Sequence, residues 1–265
     1  MDNILFRFAG LPVYAYGFTI AVGLILGMVF ALPEARRHRI KTTQLLDLFI
    51  GALVAFFLVG GLVGGIQNVG VKIILRPWLI LSNVHMIVGI VAAIIFILFY
   101  LVRQEIVLGD LLDSIAPSLA LVHSLANLGS DIYGNVTNVP WGVTFGELKL
   151  HPVQLYASIG YYLIFAVLWR YRRSKRYTGQ NFITYLTLNA WLLFILSFFS
   201  EGGLSPWVYG VLSVVLTAFS LFLLANAPLS PYRRSHSNIL TIVLTLCVHL
   251  LMMFFMVTFF LWRIQ

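Results

Sequence analysis

Polar and aromatic side chains collect in one stretch of the sequence, and these residues have the types that could do chemistry. Residues 130–151 are rich in glycine, asparagine and proline, which favour turns. They lead into the hexapeptide HPVQLY at 151–156. His151, Gln154 and Tyr156 could hydrogen-bond a lipid headgroup or a substrate backbone. Helix capping and anchoring at a membrane interface account for the same residue types, so both interpretations stay open.

A second polar group precedes this stretch. His123 and Asn127 are four residues apart and would share one face of a helix, with Ser124 beside them and Ser130 one turn further on. Polar groups inside a membrane need partners, which predicts that this stripe faces other helices. It would either join helices by hydrogen bonds or line a polar cavity.

Two further residues are candidates for a site because of their predicted position. Tyr16 and His85 lie near the outer ends of their predicted helices, where interfacial anchoring is the alternative role. The sequence has no HExxH motif, no GxSxG motif and no phosphate-binding glycine loop. The single cysteine, Cys247, lies in an apolar block. We therefore predict neither a metal nor a cofactor.

The elements that position these residues are membrane-spanning helices. The chain has 265 residues, of which 60% are hydrophobic and 10% charged, whereas about a quarter are charged in soluble domains. Its apolar blocks are long enough to cross a bilayer core of about 30 Å. The pattern predicts an all-α, polytopic transmembrane helix bundle of about eight spans. They cover residues 12–33, 44–66, 83–102, 152–169, 181–200, 206–226 and 239–262, with a more polar span at 111–129.

The basic residues predict the orientation. With the N-terminus outside, twelve of the 17 lysines and arginines fall in inner loops, and eight spans place both termini outside. The net charge of +8 therefore reflects membrane orientation, and nucleic acid is not a predicted partner. Gly23 and Gly27 have the GxxxG spacing that lets two helices approach closely.

Several short motifs resemble one known family. PWGV at 140–143, followed by HPVQLY at 151–156, resembles the prolipoprotein diacylglyceryl transferase family. LAN at 125–127 and YGNVT at 133–137 are similar to that family's GRxGNF and WGRxT patterns. AYGF at 15–18 resembles its tyrosine-glycine pair. The resemblance covers nearly the first 225 residues, and the hexapeptide after PWG is its most specific part.

The resemblance implies a fold and an activity. Family members have seven transmembrane helices with the N-terminus outside. They transfer a diacylglyceryl group from phosphatidylglycerol to the thiol of a lipobox cysteine in a lipoprotein precursor. We therefore expect a multi-pass protein of the bacterial cytoplasmic membrane whose partner is a phosphatidylglycerol-like phospholipid. Residues 1–226 would form the family's domain. Residues 227–265 would add a helix that either docks a membrane protein partner or caps the bundle.

The sequence departs from the family where its charges lie. Ser124 stands at the arginine of GRxGN, and only the asparagine is kept, as Asn127. LFILSFFS at 193–200 matches a pattern RxxxEFFR without its three charges, and it places Ser197 at the glutamate. VHMI at 84–87 keeps only the histidine of HGGL, as His85.

These departures favour a relative that does not catalyse the transfer. A charge-assisted hydrogen bond is worth about 1.5–3 kcal/mol. Losing two such contacts to phosphate would cost about 10²–10⁴ in rate. We predict a lipid-binding or structural subunit of a larger membrane complex. The predicted lipid or substrate pocket consists of Ser124, Asn127, His151, Gln154, Tyr156 and Ser197.

Two alternatives remain. An active transferase with a rearranged site would depend on residues that still match the family, namely Tyr16, His85, Asn127, His151, Gln154 and Tyr156. A transporter or channel would need a continuous polar path through the bundle, which would run along His123, Asn127, Asn189 and Ser197. The near absence of charge inside the predicted spans weighs against ion-coupled transport.

Overall fold

The computed structural model describes residues 4–8, 11–64, 83–200, 205–227 and 239–264. This part of the chain consists mainly of helices, with two short β-hairpins. The helices are α1 (Ala15–Arg37), α2 (Thr42–Gly64), α3 (Asn83–Arg103), α4 (Leu108–Gly129), α5 (Val153–Tyr171), α6 (Gln180–Leu196), α7 (Pro206–Asn226) and α8 (Ile239–Ile264). The hairpins pair β1 (Ile4–Phe8) with β2 (Leu11–Tyr14), and β3 (Val143–Phe145) with β4 (Leu148–Leu150).

The predicted fold class, an all-α polytopic membrane bundle, is confirmed. Each of the eight predicted spans corresponds to a helix, and six of these helices are long and apolar enough to cross a membrane. The six do not include α5, which has 19 residues, or α6, which has 17. The predicted span at 181–200 is too long, because α6 ends at Leu196 and a turn follows.

The described helices fall into two compact units. One unit comprises Met1–Ala31 and Leu112–Gln265, and the other comprises Leu32–Leu111. In the second unit α2 and α3 pack antiparallel. A Cβ at Gly51 would lie 2.1 Å from the ring of Phe96, and a Cβ at Gly89 would lie 2.8 Å from the carbonyl oxygen of Phe56. These glycines therefore set the close approach of α2 and α3.

In the first unit α4 is the most deeply buried of the candidate spans. Of its most apolar stretch 61% is buried, against 28% or less in the other five. Ser114, Ser118 and Ser124 are all buried. The polar composition that makes α4 a weak span in the sequence therefore belongs to a helix that is buried against other helices. The Ser124 hydroxyl has a partner there, whereas the Ser118 hydroxyl has none among the described residues.

The predicted glycine contact lies between α1 and α4. A Cβ at Gly23 would meet the backbone of Val122 at 3.4 Å, and one at Gly27 would lie 2.8 Å from the side chain of Val122. At the end of α4, a Cβ at Gly129 would lie 1.9 Å from the Thr19 hydroxyl. The two helices can approach this closely only because these positions lack side chains.

The additional C-terminal helix packs on α5. The hydroxyl of Tyr162 lies 2.8 Å from Nδ1 of His249. Met256 and Phe260, one turn apart on α8, are completely or almost completely buried. The helix α8 thus shares a core with the helices before it. The domain boundary proposed between residues 226 and 227 stays a prediction.

Candidate functional site

Ser124 of α4 is fully buried within the first unit. Its hydroxyl donates a hydrogen bond to the Ser158 carbonyl oxygen on α5 at 2.8 Å. The Met256 sulfur of α8 lies 3.9 Å from Oγ of Ser124 and 3.7 Å from Oγ of Ser158. A thioether is only a weak hydrogen-bond acceptor and behaves mainly as an apolar group. The space beside Ser124 is therefore filled by apolar packing from the added helix.

The polar stripe of α4 joins helices. Nδ1 of His123 lies 2.9 Å from the Tyr185 hydroxyl of α6, and the His123 ring lies edge-on to Tyr161 of α5. Tyr161 donates a hydrogen bond to Oδ1 of Asn189 at 2.6 Å. Of the two roles predicted for the stripe, helix joining accounts for His123, although this side chain remains partly exposed.

Asn127 and Ser130 continue the stripe to the end of α4. The Asn127 amide donates to the His123 carbonyl oxygen at 2.8 Å, and the Ser130 hydroxyl donates to the Asn127 carbonyl oxygen at 2.8 Å. Both bonds are local, between the last turn of α4 and the residue that follows it. They fix the direction in which the chain leaves the helix.

The chain after α4 is held against the starts and ends of other helices. The backbone N–H of Gly134 donates to the carbonyl oxygen of His151 at 2.9 Å, and that of Asn135 donates to the carbonyl oxygen of Phe199 at 2.8 Å. A Cβ at Gly134 would lie 1.9 Å from that same Phe199 oxygen. Glycine is therefore required at position 134 by a close backbone approach.

Two predicted site residues meet at the start of α5. Nδ1 of His151 lies 3.3 Å from the Tyr156 hydroxyl, which also accepts a hydrogen bond from Nε1 of Trp141 at 2.7 Å. The ring of Phe199 lies edge-on to both His151 and Tyr156. This cluster positions the HPVQLY segment under the preceding loop. The contacts are those of an interfacial anchor, and a ligand role for His151 and Tyr156 stays a prediction.

Gln154 belongs to a different, buried cluster. It is 0% exposed, and neither atom of its side-chain amide has a hydrogen-bond partner. Near it lies Arg263 of α8, whose side chain is 2% exposed and whose Nη2 donates to the Ser130 carbonyl oxygen at 2.6 Å. Nη2 also lies 3.4 Å from the carboxylate of Asp131. Nε and Nη1 of Arg263 have no hydrogen-bond partner.

Tyr133 lies beside both of these side chains. Burial raises the pKa of the Tyr133 phenol, while the charge of Arg263 and the polar interactions of the phenol with the side chains of Gln154 and Arg263 lower it. The loop after α4 and the end of α8 thus enclose several polar groups that are only partly satisfied.

Comparison of the sequence with known protein families identifies the family. The sequence pattern of the prolipoprotein diacylglyceryl transferase family matches residues 3–254. The chain belongs to this family. Because its relatives are bacterial membrane proteins and the chain has six candidate membrane spans, it is a multi-pass protein of the bacterial cytoplasmic membrane.

The most similar relatives include three proteins named phosphatidylglycerol–prolipoprotein diacylglyceryl transferase. That of Finegoldia magna is 30% identical over 214 residues, which are 76% of this chain and 83% of the relative. That of Clostridioides difficile is 31% identical over 213 residues, with the same coverage of 76% and 83%. That of Campylobacter hominis is 26% identical over 261 residues, which are 89% of this chain and 93% of the relative.

At the RxxxEFFR pattern of the transferase family, this chain places serines that bond to their own helix. The hydroxyl of Ser197 donates to the Phe194 carbonyl oxygen at 2.6 Å, and that of Ser200 donates to the Leu196 carbonyl oxygen at 3.2 Å. These short local bonds end α6. They hold the hydroxyls against the backbone, and a pocket role for Ser197 stays a prediction.

Two other residues that match family motifs, Tyr16 and His85, have no described contact with these clusters. Tyr16 lies at the start of α1 with 54% of its surface exposed. His85 lies in the first turn of α3, and its side chain is outside the described residues. The catalytic roles considered for Tyr16, His85 and Asn127 therefore remain predictions.

Proposed function

We propose that this member of the transferase family does not transfer diacylglyceryl groups and serves as a lipid-binding or structural subunit of a larger membrane complex. The observation that carries the proposal is the burial of Ser124 under Met256. By the resemblance of LAN to GRxGN, this is the position of a family arginine. A thioether and a hydroxyl there offer a phosphate no positive charge.

The charge of the leaving group is the energetic reason to expect no transfer. Transfer from phosphatidylglycerol releases glycerol phosphate, whose developing charge must be stabilised by cations placed in advance. Ser197 and Ser200 occupy two further charged positions of the family pattern, and their hydroxyls are engaged with the α6 backbone. With these charges replaced, we expect the transfer to be at least about 100-fold slower than in an ordinary member.

A lipidation assay tests this proposal. The purified protein would be incubated with phosphatidylglycerol and a peptide that carries a lipobox cysteine. The transferase of Clostridioides difficile would serve as the positive control. We expect mass spectrometry to show no diacylglyceryl-modified peptide above about 1% of the control rate. A rate comparable to the control would overturn the proposal.

A working transferase with a rearranged site is the second candidate. The observation in its favour is Arg263, because α8 brings a buried guanidinium to the loop after α4. This candidate predicts measurable peptide lipidation by the wild type and its loss in Arg263→Gln. A wild type that transfers nothing while folding normally would exclude it.

The outer face of α8 is the surface that we propose contacts lipid or a partner protein. Leu250, Leu251 and Phe254 are all more than 60% exposed and apolar. A face of this kind suits lipid or another transmembrane helix. Native mass spectrometry from mild detergent would test the subunit role. We expect the protein together with a second membrane protein or with bound phospholipid, and a lipid-free monomer alone would contradict that role.

A further inference from the structure

Asp47 is a charged residue on the surface of a membrane-spanning helix. The candidate span in α2 covers Thr42–Leu62, and Asp47 is its only lysine, arginine, aspartate or glutamate. It is exposed and lies five residues after the start of α2, which is about 8 Å along the helix axis. An aspartate is too short to reach back to the membrane surface as a lysine or arginine does. Its carboxylate therefore needs a partner at this depth.

The described part of the chain offers Asp47 little compensation. Its described side-chain hydrogen bond comes from the Tyr100 hydroxyl of α3, and at 3.4 Å this bond is long. Among the described residues no ion pair includes Asp47, and Arg37 in the basic turn before α2 pairs with Glu34 instead. Ionised side chains within spans almost always pair with one another or with the backbone. We therefore expect a cation from outside the chain.

Arg103 carries the complementary charge at the same end of the helix pair. It is the last residue of α3 and is exposed, and no ion pair of the described residues includes it. Arg103 follows Tyr100 by three residues, so the two share one side of α3. Because Tyr100 bonds to Asp47 across the antiparallel helices, Asp47 and Arg103 lie on one face of the α2–α3 pair. Arg103 is about 4.5 Å further along the axis, a distance that a long side chain spans.

The rest of this face is apolar and open. Ile50 and Val54 follow Asp47 on the same side of α2, and both are exposed, as is Phe99 of α3. Only 22% of the most apolar stretch of α2 and 11% of that of α3 is buried. One surface thus combines an apolar strip with an acid and a base at one end.

We propose that this face of α2 and α3 is the interface of a homodimer, in which Asp47 of each copy pairs with Arg103 of the other copy. A surface that carries both charges is self-complementary under a two-fold axis, because each residue of a pair meets its counterpart twice. Two copies inserted in the same orientation bring the two pairs to the same depth in the membrane. The inference does not depend on whether the protein transfers lipid.

Fluorescence energy transfer between labelled copies in phosphatidylcholine vesicles tests the interface. Full-length chains would carry donor or acceptor dyes, and we expect the wild type to dimerise. Asp47→Arg alone or Arg103→Asp alone should weaken dimerisation about tenfold or more, because each places like charges opposite one another. The matched controls, Glu147→Arg and Arg173→Asp, change the charge of exposed residues elsewhere and should dimerise like the wild type.

A mixture of the two single variants tests the pairing between chains. A dimer of Asp47→Arg with Arg103→Asp contains two pairs of opposite charge, whereas either variant alone forms two pairs of like charge. We expect the mixture to dimerise within about threefold of the wild type. A salt bridge within one chain cannot produce this recovery, because each variant chain carries the same sign of charge at both positions.

Folding controls keep the test interpretable. Circular dichroism and the melting temperature of dilute protein should be the same for the wild type and both single variants, because the proposed pair does not lie within a chain. If Asp47→Arg misfolds, the isosteric Asp47→Asn replaces it and should weaken dimerisation severalfold.

Three results would overturn the interface. They are a wild type that stays monomeric, single variants that dimerise like the wild type, and a mixture that does not recover. In the first case a basic residue of a different membrane protein would be the partner of Asp47. Peptide lipidation is measured separately, so each of these results leaves the non-transferring role to its own assay.

Discussion

Met256 shows how one side chain can change what a family position does. It lies against the hydroxyls of Ser124 and Ser158, and it is 0% exposed. A flexible thioether fills irregular space between small polar residues well, because it tolerates a weak hydrogen bond without requiring one. The same atom leaves no room for a larger charged side chain at position 124.

Replacing this side chain should destabilise the protein. Met256→Ala leaves a cavity beside two buried hydroxyls, and we expect the free energy of unfolding to fall by about 2–4 kcal/mol. Thermal unfolding in detergent, followed by circular dichroism, would measure the change.

An exposed residue on the same helix provides the comparison. Leu251 is 68% exposed, and Leu251→Ala should change the unfolding free energy by less than about 0.5 kcal/mol. If both variants lost the same stability, Met256 would not be a packing residue of this core.

For single residues, the sequence predicts which side chains form polar contacts better than it predicts the partners of those contacts. The stripe on α4 and the HPVQLY segment could be identified from spacing, and both form polar contacts in the structure. The sequence does not predict the roles of Met256 and Arg263, because their contacts to Ser124 and Ser130 join positions more than 130 residues apart. One sequence signal does single out Arg263. It is the only lysine, arginine, aspartate or glutamate in α8, and a single charge at the end of an apolar helix is a reason to look for a specific partner.

At the scale of elements, Asp113 fixes the start of α6. Its carboxylate accepts hydrogen bonds from the backbone N–H groups of Gly179 and Asn181, each at 2.8 Å, and lies 2.9 Å from Nζ of Lys175. The first N–H groups of a helix lack partners within the helix, and here a neighbouring helix supplies one. Gly179 has φ +93°, a conformation that favours glycine.

Removing this carboxylate should loosen α6. Asp113→Ala leaves buried N–H groups unsatisfied, and we expect a loss of about 2–4 kcal/mol in the free energy of unfolding. Asp47→Ala is a suitable control, because Asp47 is exposed and its bond to the Tyr100 hydroxyl is long, at 3.4 Å. Chemical unfolding of the two variants in detergent would compare them, and equal losses would contradict the capping role.

Substitutions of two glycines would test how closely the loop after α4 is packed. Gly134→Ala would place a methyl group on the Phe199 carbonyl oxygen, so we expect displacement of the loop and lower stability. Gly17→Ala places its methyl group in open space on α1 and should be neutral or slightly stabilising. Melting temperatures of both variants would check this, and a harmless Gly134→Ala would show that the loop is not held so closely.

The sequence predicts the helices but not their ends. The first span is predicted at 12–33, whereas α1 is Ala15–Arg37. An apolar pattern cannot show that a helix continues beyond the bilayer into basic residues such as Arg36. The hairpin of β3 and β4 lies in a segment that composition identifies only as turns, because three-residue strands carry too little periodicity to be recognised.

At the scale of the whole molecule, two contacts constrain how the first unit crosses the membrane. Lys175, between α5 and α6, pairs with Asp113 near the start of α4. Arg263, at the end of α8, bonds to Ser130 just after the end of α4. These contacts lie at opposite ends of one helix, as expected if α5, α6, α7 and α8 each cross once. Which end faces outward remains the prediction of the basic residues.

Cysteine labelling would determine the orientation. The only cysteine, Cys247, would first be replaced by alanine, and cysteine would then be introduced at Glu147 or Arg173, both of which are exposed. We expect a membrane-impermeant maleimide to label Glu147→Cys in intact spheroplasts and Arg173→Cys only after permeabilisation. The reverse result would place the termini in the cytoplasm.

The large sequence separation between Met256 and its contact partners also has a consequence for biosynthesis. When the ribosome has completed α5, the hydroxyls of Ser124 and Ser158 still lack the Met256 side chain that packs against them from α8. A nascent chain therefore leaves these hydroxyls incompletely packed until α8 has entered the membrane and docked. A premature stop codon within α8 would leave them permanently without this packing, and the membrane's quality-control proteases would have a recognisable defect to remove.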